Sequence, residues 1–219
     1  MELWINSADV NEIKEASEEL NVTGCTTNPK STATMGGDYK KNLSEICKIV
    51  NGPVCAQVIS RKCDDMVEEA KIINSIDEKT LVKIPMGVEG IKAIRKLKKI
   101  NIKVNVTVIF SVAQALLALR EGANYISIFT GPFASVNDSE INLTAKVKKI
   151  IDNYNFNTKI IDCVRSPIQT VDAALIGVDI CTMDYIYLKM LYENSMTDLY
   201  LKKFHKSWND AFGTKTWLS

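Results

Sequence analysis

The sequence predicts an α/β fold: a (β/α)8 TIM barrel with an extra C-terminal helix. Three observations predict it. Short apolar runs alternate with longer amphipathic stretches from one end of the 219 residues to the other, which is the pattern of repeated βα units. Eight such units follow one another, the number that closes a barrel. No linker or low-complexity tract interrupts them, so 1–219 reads as a single domain. An open doubly wound sheet is the competing architecture, but no G-x-G-x-x-G turn follows a strand.

In chain order, 2–6 reads as the first strand and 8–20 as its amphipathic helix. The second strand is 22–26; a loop holding Pro29, Gly36 and Gly37 leads to a helix over 39–50. Strand and helix pairs follow at 54–59 with 64–76, 81–84 with 88–99, 102–109 with 111–121, 125–129 with 140–153, 159–163 with 167–176, and 179–183 with 185–192. A last helix, about 197–212, is surplus to a barrel and carries Leu199, Leu201, Phe204, Trp208 and Phe212. An apolar set that wide must pack on the barrel or on a neighbouring subunit.

Bulk properties exclude several classes. Lysines plus arginines number 27 and acids 26, for a net charge of +1, without the basic face that nucleic acid demands. No apolar stretch reaches membrane-spanning length, and no basic leader precedes an apolar segment at the N-terminus. A cytoplasmic location is the default expectation. The six cysteines show no C-x-x-C pair and there is one histidine, His205. The sequence therefore leads us to expect neither a disulfide framework nor a zinc or histidine-rich metal site, and no histidine base.

Chemistry centres on Leu81-Val82-Lys83-Ile84-Pro85. The run reads as a buried parallel strand ended by proline, and a lysine inside it is costly unless used. Burial favours the neutral amine, which makes lysine a nucleophile for carbonyl groups. The strand alone leaves two readings open: a Schiff-base lysine, or one whose head snorkels to solvent or to a carboxylate. In a barrel the strand C-termini form the active face. Those ends carry Asn6, Thr26 with Asn28, Gln57, Lys83, Asn105 with Thr107, Ser127 with Phe129, and Cys163 with Arg165. Each alone fits a cap or a turn. Together they would hydrogen-bond a polyhydroxylated ligand around one amine.

Several segments carry a resemblance: V-T-G-C-T-T-N-P at 22–29, A-Q-V-I-S at 56–60, V-K-I-P-M at 82–86 with Glu89-Gly90, N-V-T-V-I-F-S at 105–111, A-Q-A at 113–115 and R-S-P at 165–167. The C-terminal Thr197-Asp198-Leu199 and Lys203-Phe204 to Trp208 match too. With these in order over essentially the whole chain, the protein resembles the small transaldolase family, which includes fructose-6-phosphate aldolase. The resemblance implies a class I aldol mechanism without metal or cofactor. In it Lys83 forms an imine with a ketose, and a dihydroxyacetone unit is transferred or cleaved. By position, Asn28 and Asn105 would hold donor hydroxyls, Thr107 a catalytic water, and Arg165 an anionic group of the sugar. The family is often assembled as rings, so a homo-oligomer, pentamer or decamer, is expected, with the terminal helix crossing to a neighbour.

Four departures from the family pattern accompany it. Asn6 stands where the family has an aspartate, and an amide cannot act as a general base. Gln57 stands where transaldolases have a glutamate, and Phe129 where the aldolases have a tyrosine. At the anion site Pro132 replaces an arginine and Cys163 a serine, leaving Arg165. Asp162, Asp184 and Tyr185 are the groups near strand ends seven and eight that could supply a proton. The alternative to an enzyme with a changed substrate is a catalytically impaired or noncatalytic sugar binder.

Overall fold

The structure, a computed structural model, describes residues 1–133 and 142–218. Eight parallel strands close into a barrel in chain order: β1 (Glu2–Asn6), β2 (Gly24–Thr26), β3 (Val54–Gln57), β4 (Thr80–Pro85), β5 (Val104–Ile109), β6 (Tyr125–Ile128), β7 (Lys159–Cys163) and β8 (Ile180–Met183). β1 pairs with both β2 and β8, so the sheet has no free edge. The predicted barrel is thus the observed one.

Helices α1 (Val10–Leu20), α2 (Pro29–Met35), α3 (Tyr39–Ile49), α4 (Cys63–Asn74), α5 (Val88–Lys99), α6 (Val112–Glu121), α7 (Thr130–Phe133), α8 (Leu143–Tyr154), α9 (Pro167–Ile176) and α10 (Tyr185–Lys189) alternate with the strands. Local chemistry sets their ends. Asp9, Asp38, Ser111 and Ser166 accept from the first free amides of α1, α3, α6 and α9, while Gly122 and Gly177 close α6 and α9 in the left-handed conformation.

Two corrections concern helices. Residues 29–35, expected as loop, form α2: Asn28 and Ser31 make a capping box and Pro29 occupies the first turn, where its missing N–H costs nothing. The helix expected over 185–192 ends at Lys189. The start of the helix expected at 140–153, with its first two positions, lies outside the described residues; the described part begins at Leu143.

The barrel interior is filled in layers. Trp4, Cys55, Leu81, Ile161 and Ile180, with Tyr125 against them, plug its lower half. Trp4 fits because residue 24 is glycine: a Cβ there would lie 2.3 Å from the indole ring. The alternate residues (Ile5, Val54, Val82, Val106, Ile126, Ile160) face outward and are buried under helices. Gly90 serves the same packing, since a Cβ on it would lie 2.1 Å from the Pro85 carbonyl oxygen.

The chain divides into two compact units, Met1–Leu188 and Lys189–Ser219. The second is built on α11 (Ser195–Phe212), capped by Asn194. None of its helical residues is buried, and Leu199, Leu201, Phe204 and Phe212 are exposed. Trp208 stacks with Phe212 and Trp217 and donates its indole N–H to the Lys215 carbonyl at 2.6 Å. Among the described residues no helix is long and apolar enough to cross a membrane.

Candidate active site

Strand register brings the candidate residues together. Gln57, Lys83 and Asn105 are direct neighbours across β3, β4 and β5. Asn6 pairs with Thr26, and Cys163 with Thr182. Side chains alternate along each strand, so these positions share the inner face above the apolar plug. A cavity of about 650 Å³ opens at this end, lined by Asn6, Thr26, Asn28, Gln57, Lys83, Phe129, Cys163 and Arg165. That volume suits a small-molecule ligand.

Lys83 is 3% exposed. Its Nζ donates to the Thr27 carbonyl oxygen at 3.1 Å and makes no ion pair among the described residues. Of the two readings left open, the amine snorkels neither to solvent nor to a carboxylate. It stays under the cavity, beside a backbone acceptor that aims it.

Three of the expected site residues lie beneath the cavity wall. Asn105, Thr107 and Ser127 are fully buried and do not line it. Ser127 donates to Asn105 Oδ1 at 3.0 Å, which turns the Asn105 amide so that its Nδ2 faces the Cys55 sulfur at 3.5 Å. Ser127 thus orients Asn105 and is not open to the cavity. The Thr107 hydroxyl, two residues past Asn105, has no hydrogen-bond partner among the described residues. A buried hydroxyl in that state costs about 1–3 kcal/mol.

Asn6 is the centre of a network. Its Nδ2 donates to Asp184 Oδ1 at 2.5 Å, and its Oδ1 accepts from Thr26 Oγ1 at 3.0 Å. The Asn28 Nδ2 lies 3.5 Å from the same oxygen. The Thr26 and Thr182 hydroxyls are 2.9 Å apart. Asn28 also spends its side-chain oxygen on the Ser31 amide at 3.0 Å, so it both caps α2 and turns its Nδ2 to the cavity side.

On the far wall Phe129 packs on Phe110 with ring centroids 5.4 Å apart. Burial pushes the Cys163 thiol up to about 12, so it stands there neutral. Arg165 is exposed at the rim. Pro132 belongs to the short helix α7. Asp162, one of the three proposed proton sources, faces the other way. It alternates with Cys163 along β7, is buried, accepts from Thr130 Oγ1 at 2.5 Å and does not line the cavity. Asp184 and Tyr185 do line it.

Other lining residues were not singled out from the sequence: Lys30 on α2, Thr182 on β8 and Val108 on β5. Lys30 is hidden from the sequence because Asn28-Pro29 signals a loop over 29–35 and not the helix that carries it. Val108 sits at φ +64, where the pairing of β5 with β6 shifts register. A β-branched residue there is strained by about 1–2 kcal/mol, and such strain gathers at functional sites.

Fold and site define a class: a (β/α)8 barrel with a buried lysine amine set among amides, hydroxyls and a carboxylate at the strand ends. The chain belongs to the transaldolase/fructose-6-phosphate aldolase family, a family of enzymes that matches residues 3–215. It is 42% identical over 210 residues to a probable transaldolase of Caldicellulosiruptor saccharolyticus, covering 95% of this chain and 97% of that one. It is 42% identical over 209 residues to a probable transaldolase of Dictyoglomus turgidum (95% and 98%) and 40% identical to one of Thermodesulfovibrio yellowstonii (95% and 98%). The resemblance drawn from the T-T-N-P, V-K-I-P and N-V-T-V-I-F-S segments thus holds over nearly the whole chain.

Proposed function

We propose that the protein is a class I aldolase or transaldolase in which Lys83 forms an imine with a ketose, and that it transfers or cleaves a dihydroxyacetone unit. The single observation that carries this is the placement of the Lys83 amine, 3% exposed and 3.1 Å from the Thr27 carbonyl, at the floor of a cavity lined by Asn6, Thr26, Asn28 and Gln57. The desolvated amine attacks the ketose carbonyl, and loss of water gives the imine. The imine draws the electron pair of the breaking carbon–carbon bond and leaves a three-carbon enamine. That enamine adds to an acceptor aldehyde in transfer, or is protonated and hydrolysed in cleavage.

Thr26, Asn28 and Gln57 supply hydrogen bonds to sugar hydroxyls, and Asn105 and Thr107 shape the floor. Arg165 at the rim meets an anionic group such as a phosphate. Neither a metal nor a cofactor enters this scheme. Its six thiols are unpaired, in keeping with a cytoplasmic enzyme. The apolar face of α11 supports a homo-oligomer, for which Phe204→Asp should give smaller species in sizing chromatography; an unchanged elution volume would count against it.

The test is borohydride reduction in the presence of dihydroxyacetone or a ketose, followed by peptide mass spectrometry. The expected result is an added three-carbon mass on Lys83, and its absence from Lys83 would overturn the imine. A noncatalytic sugar binder, the reading favoured by amide Asn6 and Gln57, would bind ketoses in calorimetry and release no product.

A further inference from the structure

Retro-aldol cleavage needs a group that takes the proton from the hydroxyl on the carbon two bonds from the imine carbon. Most of the cavity wall cannot do this. Asn6, Asn28 and Gln57 are amides, Phe129 has no proton to exchange, and Cys163 is held as a neutral thiol. Among the described residues three carboxylates line the cavity: Asp9, Glu12 and Asp184. Asp9 is committed as the cap of α1, accepting from the Asn11 amide at 2.8 Å. Glu12 accepts the Ser7 hydroxyl at 2.6 Å.

Asp184 differs from both. It lies two residues beyond Thr182 and four beyond Ile180, so it continues the inward face of β8. It precedes α10 as a cap would. Even so, among the described residues its side chain makes one hydrogen bond, Oδ1 to Asn6, and none to the amides of α10. Oδ2 is left for the cavity. Asn6 in turn cannot rotate away, because its own oxygen accepts from Thr26. The amide is a bracket between two strands that holds one carboxylate.

We propose that Asp184 is the general base and acid of the carbon–carbon step, and that Asn6 positions it. The proposal rests on the imine at Lys83. In cleavage, a carboxylate oxygen of Asp184 takes the proton of the substrate hydroxyl. The O–H electron pair becomes the C=O bond of the leaving aldehyde, and the carbon–carbon bond pair moves into the imine to give the enamine. In the reverse direction Asp184 returns the proton to the new alkoxide. Atoms and electrons balance with no co-reactant. Among the described residues, the other charged and titratable groups facing the same cavity are Lys83 from β4, Lys30 from α2, Cys163 from β7, Arg165 after it, Tyr185 from α10, and Asp9 and Glu12 at the start of α1.

The experiment compares wild type with Asp184→Asn, Asp184→Glu and Asn6→Ala. Each is assayed for borohydride-trapped adduct at Lys83 with dihydroxyacetone. Each is also assayed for kcat against pH on the ketose that wild type cleaves fastest from a phosphorylated, sulfonated and neutral panel. Asp184→Asn should trap the adduct as wild type does, lose about 10²- to 10⁴-fold in kcat, and lose the acid limb of the pH profile. Asp184→Glu should recover part of the rate with an acid limb, and Asn6→Ala should lower kcat while keeping one. The assignment is overturned if Asp184→Asn cleaves within a few-fold of wild type, or if it keeps the acid limb. Loss of folding in Asp184→Asn together with wild-type kcat and pH profile in Asn6→Ala and no carboxylate-dependent limb in Asp184→Glu also overturns it. If wild type forms no adduct at Lys83, the imine falls and Asp184 with it; an adduct with unchanged cleavage removes Asp184 alone.

Discussion

Replacing Lys83 by methionine should abolish imine formation and at the same time make the protein more stable. Methionine keeps the length and most of the apolar stem of lysine, so packing in β4 is preserved. What disappears is an amine that is 3% exposed and, among the described residues, makes one hydrogen bond, to Thr27. Relieving an under-satisfied buried polar group is worth about 1–3 kcal/mol. The hydrogen bond to the Thr27 carbonyl that is lost is worth about 0.5–1.5 kcal/mol net. Taken end by end, the difference is a gain of roughly 0.5–1.5 kcal/mol. For a chain of this size 1 kcal/mol moves Tm by about 2–4 °C, so Tm should rise by roughly 1–6 °C. Scanning calorimetry measures the shift, and borohydride trapping measures the adduct on the same samples. A Tm lowered by more than about 3 °C would mean that Lys83 is a structural group whose bond to Thr27 stabilises the barrel. A dihydroxyacetone adduct persisting at wild-type yield would show that the nucleophile lies elsewhere.

Two further outcomes follow from other parts of the site. Arg165→Ala should raise KM about tenfold to a hundredfold for anionic ketoses, the loss of a charge-assisted contact, and leave neutral ones nearly unchanged; equal effects in steady-state assays on both would refute the anion assignment. Asp162 is buried and its carboxyl is raised to about 6, with burial the leading cause and the Thr130 hydroxyl opposing it. A raised value favours the protonated form in the fold, so its stabilising contribution is fully present below the ordinary carboxylate range and is lost as pH rises through about 6. Asp162→Asn cannot ionise and should gain about 2–3 kcal/mol on wild type between pH 4 and pH 7; urea melts at the two pH values that shift in parallel for both proteins would exclude this.

The barrel was legible because periodicity is local. Runs such as Val104–Ile109 and Lys159–Cys163 announce strands by their β-branched residues, and Ser111, Ser166, Gly122 and Gly177 mark helix ends through bonds only a few residues long. The helix Pro29–Met35 escaped because Asn28-Pro29 signals a turn and a capped helix start alike. Only the bond from Ser31 back to Asn28 tells them apart.

The site divides along the same line. Sequence alone determined that a lysine stands in an apolar strand, that amides and hydroxyls end its neighbours, and that Asn6, Gln57 and Phe129 leave no acid or base at those positions. These are facts of residue type and spacing along single strands. Tertiary structure decided the rest, because closing the barrel joins the last strand to the first. Asp184 and Asn6 are separated by nearly the whole chain, yet pairing of β8 with β1 sets their side chains 2.5 Å apart. The same closure buries Ser127 behind Asn105, turns Asp162 outward under the helices, and places Lys83 within reach of a carbonyl from β2's far end. Which polar group meets the cavity depends on strand parity and register, and register is a property of pairing that no single strand carries.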